Sequence, residues 1–302
     1  MSVFKTNIER RLYEYLHPKR IALSKRYPFL KRPILWVRRT HRTIRDFLNP
    51  RIKHHYMPTE FNCIITRHQS VLRRRLGESD PRLQEQKIIN LKRAVESLNN
   101  IVIEPGDIFS LWSIIGKPSR KRGYVDGMLL SNGKIIEGLG GGLCQLSNFL
   151  YWLFLHAPTE TIERYHHSMD VFPDSGRTLP FGSGATILYN FVDLKMKNKS
   201  NQPLQLKIWL TDNPLKGQLR SPTPLSEKFH LIEKNHHFIK YNGQYFRFNQ
   251  IEREIKINGI LQKTEGITTN FAPVLYKVTN DYLKKNEFKV IEIKTLHDPP
   301  TA

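Results

Sequence analysis

A chain of 302 residues, 39% hydrophobic and 25% charged, holds enough core for one large domain or two smaller ones and is too apolar to be disordered. Its 48 Lys and Arg against 27 Asp and Glu leave a formal charge of +21, a field that favours anionic partners: nucleic acid, an acidic membrane surface or an anionic cell-wall precursor. The two cysteines, Cys63 and Cys144, lie far apart, which excludes a disulfide framework and any CxxC zinc site and fits a reducing compartment.

Residues 1 to about 55 scatter Arg10, Arg11, Lys19, Arg20, Arg38, Arg39, Arg42 and Arg45 among Phe29, Leu30, Ile34, Leu35 and Trp36. No uninterrupted apolar region or small-residue cleavage site marks a signal peptide, and no stretch approaches the ~20 apolar residues of a spanning helix. The expectation is a cytoplasmic protein, peripheral at the inner membrane face. Residues 1–58 then form a basic amphipathic helical arm lying on anionic lipid, or else a solvated cationic surface of the domain. No nucleic-acid motif is present, so nucleic acid is not an expected partner.

From Arg82 the spacing of Ile88, Leu91, Val95 and Leu98 predicts a helix, opened by Asp80-Pro81 and closed by Asn99-Asn100. Extended segments at 101–103 and 108–112 flank the turn Pro105-Gly106-Asp107, and 127–130 and 134–136 flank Asn132-Gly133, a strong hairpin signal. The hairpin leads into Gly138-Leu139-Gly140-Gly141-Gly142-Leu143-Cys144, and then into an apolar helix from Cys144 to about His156, ended by Pro158. Extended segments follow at 160–167, 185–189, 192–196 and 204–209. Period-two alternation places Tyr165 and His167 on one face of the first, with Arg164 and His166 on the other. Beyond Asn213 the chain reads as further β structure, with hairpins at Asn242-Gly243 and near Gly259 and a last strand at 288–293. His236-His237 reads as plain surface, and no spacing fits a metal site, so neither metal nor cofactor is expected.

The fold class is α+β: a central buried helix headed by Cys144 packs on a mainly antiparallel sheet in a core spanning 59–212. A β-rich extension covers 213–302. A thiol at a helix N-terminus faces open N–H groups and the helix dipole, which lower its pKa toward the reactive thiolate; the competing reading makes Cys144 a small core residue. A cysteine heading a central helix against a histidine-bearing sheet is also the layout of papain-like and cell-wall-peptidase folds, by analogy of fold alone.

Gly140-Gly141-Gly142-Leu143-Cys144-Gln145-Leu146-Ser147, Glu163-Arg164 ahead of His167-Ser168, Asp193-Leu194-Lys195 with Asn198, the Asn90-Leu91-Lys92 helix and the Pro105-Gly106-Asp107-Ile108-Phe109-Ser110 turn resemble the VanW family over roughly residues 85–210. The resemblance implies a role in glycopeptide resistance and peptidoglycan metabolism, with a peptidoglycan peptide or precursor as partner. It further implies a cysteine acyl-transferase, L,D-transpeptidase-like or amidase activity, with a non-catalytic accessory module as the alternative. In the catalytic case the Cys144 thiolate attacks an amide carbonyl and N–H groups around Cys144 and Gln145 hold the oxyanion. His167 serves as base, Asp193 orients it, and an amine or water resolves the thioester. Gly141, Gly142, Ser147, Arg164 and Tyr165 are the candidate substrate contacts. Two positions depart from the family: Tyr165 stands where a histidine is usual, and Gly184 where an aspartate is.

Overall fold

The computed structural model describes residues 2–18, 26–73, 80–131, 134–171, 173–174 and 179–296. In chain order these form α1 (Ser2–Leu16), a 3-10 turn (Pro28–Leu30), α2 (Lys31–Phe47), β1 (His55–Tyr56), β2 (Cys63–Val71), α3 (Arg82–Leu98), β3 (Ile101–Ile103), β4 (Ile108–Ser110) and α4 (Leu111–Ile115). After a second 3-10 turn (Arg120–Arg122) come β5 (Asp126–Ser131), β6 (Lys134–Leu139), α5 (Leu143–Leu155), β7 (Thr159–Glu163), β8 (Lys195–Asn198), β9 (Leu204–Leu210) and β10 (Pro214–Ser221). The chain ends with β11 (Glu227–Tyr241), β12 (Gln244–Ile257), β13 (Ile260–Pro273), α6 (Asn280–Lys285) and β14 (Lys289–Glu292). The architecture is α+β, as expected.

The strands make a five-stranded sheet in the order β1-β3-β9-β10-β2, a four-stranded sheet β13-β12-β11-β14, a three-stranded sheet β4-β8-β7 and the β5-β6 pair. α5 is the hub. Leu143, Leu146, Phe149, Leu150, Leu153, Phe154 and Leu155 are buried in one cluster with the α3 stripe of Ile88, Leu91, Val95 and Leu98 and with Leu206, Ile208, Leu215 and Leu219 of the large sheet. Gly217 lets β10 pass close beneath it, since a methyl there would stand 2.9 Å from the Phe149 ring. α3 begins as predicted, with the Asp80 carboxylate accepting the Arg82 N–H at 2.8 Å.

Several expectations change. β4 stops at Ser110, whose hydroxyl accepts the Ser113 N–H and so caps α4, and Leu111 and Trp112 are helical. β7 ends at Glu163, and beyond it only the single pairings Tyr165–Thr186 and Leu188–Val192 stand where two full strands were expected. The turn at Asn190, with φ +49, folds 188 back onto 192 before either segment can extend. β10 pairs with both β2 and β9, so the core sheet reaches past 212 to Ser221.

The amino-terminal residues are docked. α1 buries Ile8 and Leu12 against Ile239, Phe246, Phe248 and Ile293 of the C-terminal sheet. The Asn242-Gly243 loop closes β11 on β12 with φ of +45 and +77, and Asn258-Gly259 closes β12 on β13 with +50 and +80, both values suiting two-residue hairpins. The Asn132-Gly133 turn lies outside the described residues, although Ser131 pairs with Lys134 across it. His236 is not plain surface: it accepts the Arg247 Nε–H at 2.8 Å and stacks on Phe238. Arg247 is itself buried and paired with Asp170 and Asp174. Among the described residues no helix is long and apolar enough to cross a membrane.

Candidate functional site

The glycine turn is shaped by the close approach of chain segments. Gly141 lies so near the Gly127 backbone that a methyl there would overlap the Gly127 carbonyl, and Asn90 Nδ2 donates to the Gly141 and Val125 carbonyls at 2.8 and 3.0 Å. Gly142, at φ +94, packs against the Lys87 side chain, whose ammonium donates to Gln84 Oε1 at 2.6 Å and to the Leu72 carbonyl. Both glycines are buried, and they bring β5 and α3 onto the start of α5.

Cys144 is the second residue of α5 and half-buried, its side chain packed on the core cluster. Burial pushes its thiol above the ordinary value, and a backbone hydrogen bond from Ile187 only partly offsets this. The direction is opposite to the lowering expected of a helix-start thiol, and desolvation is the larger cause. The Gln145 N–H donates to the Gly142 carbonyl at 2.9 Å, which removes it from the expected oxyanion pair. Its side-chain amide instead ties β2 to the helix, donating to Ser70 Oγ at 2.9 Å and to the Val71 carbonyl at 2.8 Å.

Residues 185–187 run along the first turns of α5. Ser147 Oγ donates to the Ala185 carbonyl at 2.5 Å, Asn148 Oδ1 accepts the Ala185 N–H at 2.7 Å, and Ile187 meets the Cys144 sulfur. Thr186 faces the other way: its N–H donates to the Tyr165 carbonyl at 2.7 Å, and its Oγ1 lies 2.9 Å from His167 Nδ1. Backbone groups of an extended segment alternate between its two edges. Cys144 and His167 therefore meet the same short segment, the sulfur at Ile187 and the imidazole at the Thr186 hydroxyl, with Tyr165 half exposed. Ser147 is fully buried, so its hydroxyl fastens this segment to the helix instead of facing a ligand.

Arg164 likewise turns inward. Its guanidinium donates to the Gly184 carbonyl at 2.9 Å and to the Gly182 carbonyl, and lies 5.1 Å above the Tyr151 ring. Asp193 is buried elsewhere, accepting from Ser110 Oγ at 2.7 Å, Leu194 N–H at 2.8 Å and Trp112 N–H at 3.2 Å. Burial pushes its carboxyl up to about 6, and these bonds hold it away from the role of orienting His167. Gly184 is the position next to the histidine: a methyl there would stand 3.2 Å from His167 Cδ2 and 2.6 Å from Asn148 Oδ1. Asn148 and Thr186 were not singled out from sequence, although Asn148 directly follows the Cys-Gln-Leu-Ser run.

The cysteine-headed helix, its glycine turn and the segments of Thr186 and His167 all lie within one stretch that a known family matches. The family model described as VanW like protein matches residues 86–220. The chain is 30% identical over 198 residues to the Vancomycin B-type resistance protein VanW of Enterococcus faecalis, covering 66% of this chain and 70% of that protein. It belongs to the VanW family. It is also 29% identical over 118 residues to the uncharacterized protein YoaR of Bacillus subtilis, covering 39% of this chain and 37% of YoaR. No solved structure matches the chain.

Proposed function

We propose that this protein serves vancomycin resistance as an accessory of peptidoglycan metabolism, binding a stem peptide or its anionic precursor without covalent turnover. The relation to VanW of Enterococcus faecalis supports the setting, and the charge of +21 suits an anionic precursor. The observation that carries the non-covalent reading is the state of Cys144. Its thiol is pushed up by burial, and neither candidate carboxylate serves His167: position 184 is glycine, and Asp193 is bonded to Ser110, Trp112 and Leu194.

The second reading is a cysteine acyl-transferase or amidase. It is favoured by the half-buried Cys144 at a helix start, where first-turn N–H groups lack intrahelical acceptors, and by the bond between His167 and Thr186. In that chemistry the Cys144 sulfur bonds to the amide carbon, the C–N bond breaks, and the amine leaves with the thiol proton carried by His167. Water or a second amine then releases the acyl group.

Calorimetric titration with a stem peptide, alongside intact-mass measurement, tests the two. The expected result is binding that survives Cys144→Ser, with no acyl adduct on the wild-type chain. An adduct on Cys144 that disappears in His167→Ala establishes the covalent reading instead.

A further inference from the structure

Helix α2 is amphipathic, but it is mounted the wrong way round for a helix that merely covers a domain. A surface helix ordinarily turns its apolar stripe to the core and its charges to water. Here the charged stripe is docked. Arg42 donates to both oxygens of Glu163, at 2.8 and 2.6 Å, and to the Phe191 carbonyl at 2.8 Å. Asp46 accepts from the buried Lys195 at 2.6 Å, and the Asn190 amide donates to the Arg39 carbonyl and to Thr43 Oγ1.

The apolar stripe consequently faces outward. Trp36 is 68% exposed and Phe47 87%, with Phe29, Val37, Ile44 and Leu48 also exposed. At ~100° per residue Trp36, Val37, Ile44 and Phe47 fall within an arc of about 100°, and Phe29 and Leu48 flank the two ends of the helix. Exposed arginines border that stripe: Arg32, Arg38 and Arg45. The helix carries six Lys and Arg against the single Asp46.

We infer that α2 is an interfacial anchor that seats this protein on an anionic lipid bilayer. Aromatic and branched side chains along one face with arginines at its margins match the boundary between acyl chains and negatively charged headgroups. The ion pairs behind the helix hold that face outward before any membrane is met, so docking requires no refolding. The anchor does not depend on what the Cys144 site binds. It does place that site, because Arg42 grips Glu163 and Phe191, which bracket the segments carrying His167 and Thr186.

The test is sedimentation of the full chain with vesicles of phosphatidylcholine alone and of phosphatidylcholine with phosphatidylglycerol. It is repeated for the double variant Trp36→Glu/Phe47→Glu and for Ile44→Glu. The expected result is binding to the anionic vesicles that is weakened by salt and at least about tenfold tighter than to the neutral ones. The double variant should lose about tenfold or more, with an unchanged thermal midpoint because both side chains are solvent-exposed. Failure of the wild-type chain to sediment, or equal binding by the double variant, overturns the inference. So does a wild-type dimer in light scattering that the double variant converts to a monomer, since the stripe would then be an interface between copies of this chain.

Discussion

Arg42 clasps Glu163 through both carboxylate oxygens, at 2.6 and 2.8 Å, across 121 residues of sequence. The same carboxylate accepts the Asp193 N–H at 3.0 Å and lies 3.4 Å from the Lys195 ammonium. Burial alone would raise the Glu163 pKa, but the Arg42 bonds, the Asp193 N–H and the nearby cations outweigh it and hold the carboxyl below its usual range. Removing the arginine strands a buried carboxylate, so Arg42→Ala is expected to cost about 3 kcal/mol. Because the folded pKa is lowered, that stabilisation is present above the carboxylate range and lost as pH falls through it. Urea denaturation at neutral and acidic pH checks both statements: the deficit of Arg42→Ala should be large at pH 7 and shrink toward pH 3.

The glycine turn makes a second prediction. Gly141→Ala forces a methyl into the Gly127 carbonyl, with backbone on both sides and no flexible group to yield. The expected outcome is a loss of about 3 kcal/mol or more, or failure to fold. Gly243→Ala is the comparison: its φ is positive, at +77, whereas that of Gly141 is not, and nothing lies within 4 Å of the added methyl. It should cost only about 1 kcal/mol. Equal thermal midpoints for the two variants would mean that the Gly127–Gly141 approach is not close in solution.

Burial of the Cys144 sulfur makes a third. Alkylation of Cys144, followed by peptide mass spectrometry across a pH series, should be slower than that of a free small-molecule thiol and should rise at higher pH. Fast labelling at neutral pH would show an activated thiolate and favour the covalent reading of the site.

What was legible in the sequence was whatever depends on local chemistry. The α3 stripe, the Asp80 contact at its start, the Asn242-Gly243 and Asn258-Gly259 hairpins and the buried α5 all follow from periodicity or turn preference, and all are present. The chemistry of the site was less legible because it depends on which groups other segments bring to each residue. Nothing around Gly142 announces that Lys87 fills the space beside it, and nothing in Arg164 distinguishes a ligand contact from a clamp on the Gly182 and Gly184 carbonyls. The helix-start argument for Cys144 named one field and omitted desolvation, which is set by α5 lying at the centre of the core. The N-terminal residues were read as basic and amphipathic; the side that α2 presents depends on Glu163 and Lys195, more than a hundred residues away.

Asp193 gives the last prediction. Its carboxyl is pushed up to about 6 by burial, against an unperturbed 3.8, while the Ser110 hydroxyl, the Trp112 N–H and the Lys195 charge pull the other way. A carboxyl whose folded pKa is raised favours the folded state when protonated. Its contribution is complete below pH 3.8 and is lost as pH rises through about 6. The loss from this group amounts to roughly 3 kcal/mol. Asparagine is the neutral isostere: its carbonyl can still accept from the Trp112 and Leu194 N–H groups, and its amide can donate to Ser110 Oγ. Asp193→Asn should therefore match the wild-type chain near pH 4 and exceed its stability above pH 6, a difference that urea titrations at the two pH values measure directly. A variant that is destabilised at both would show that the charged carboxylate is what Ser110 and Trp112 hold, and that Asp193 stays ionised within the core.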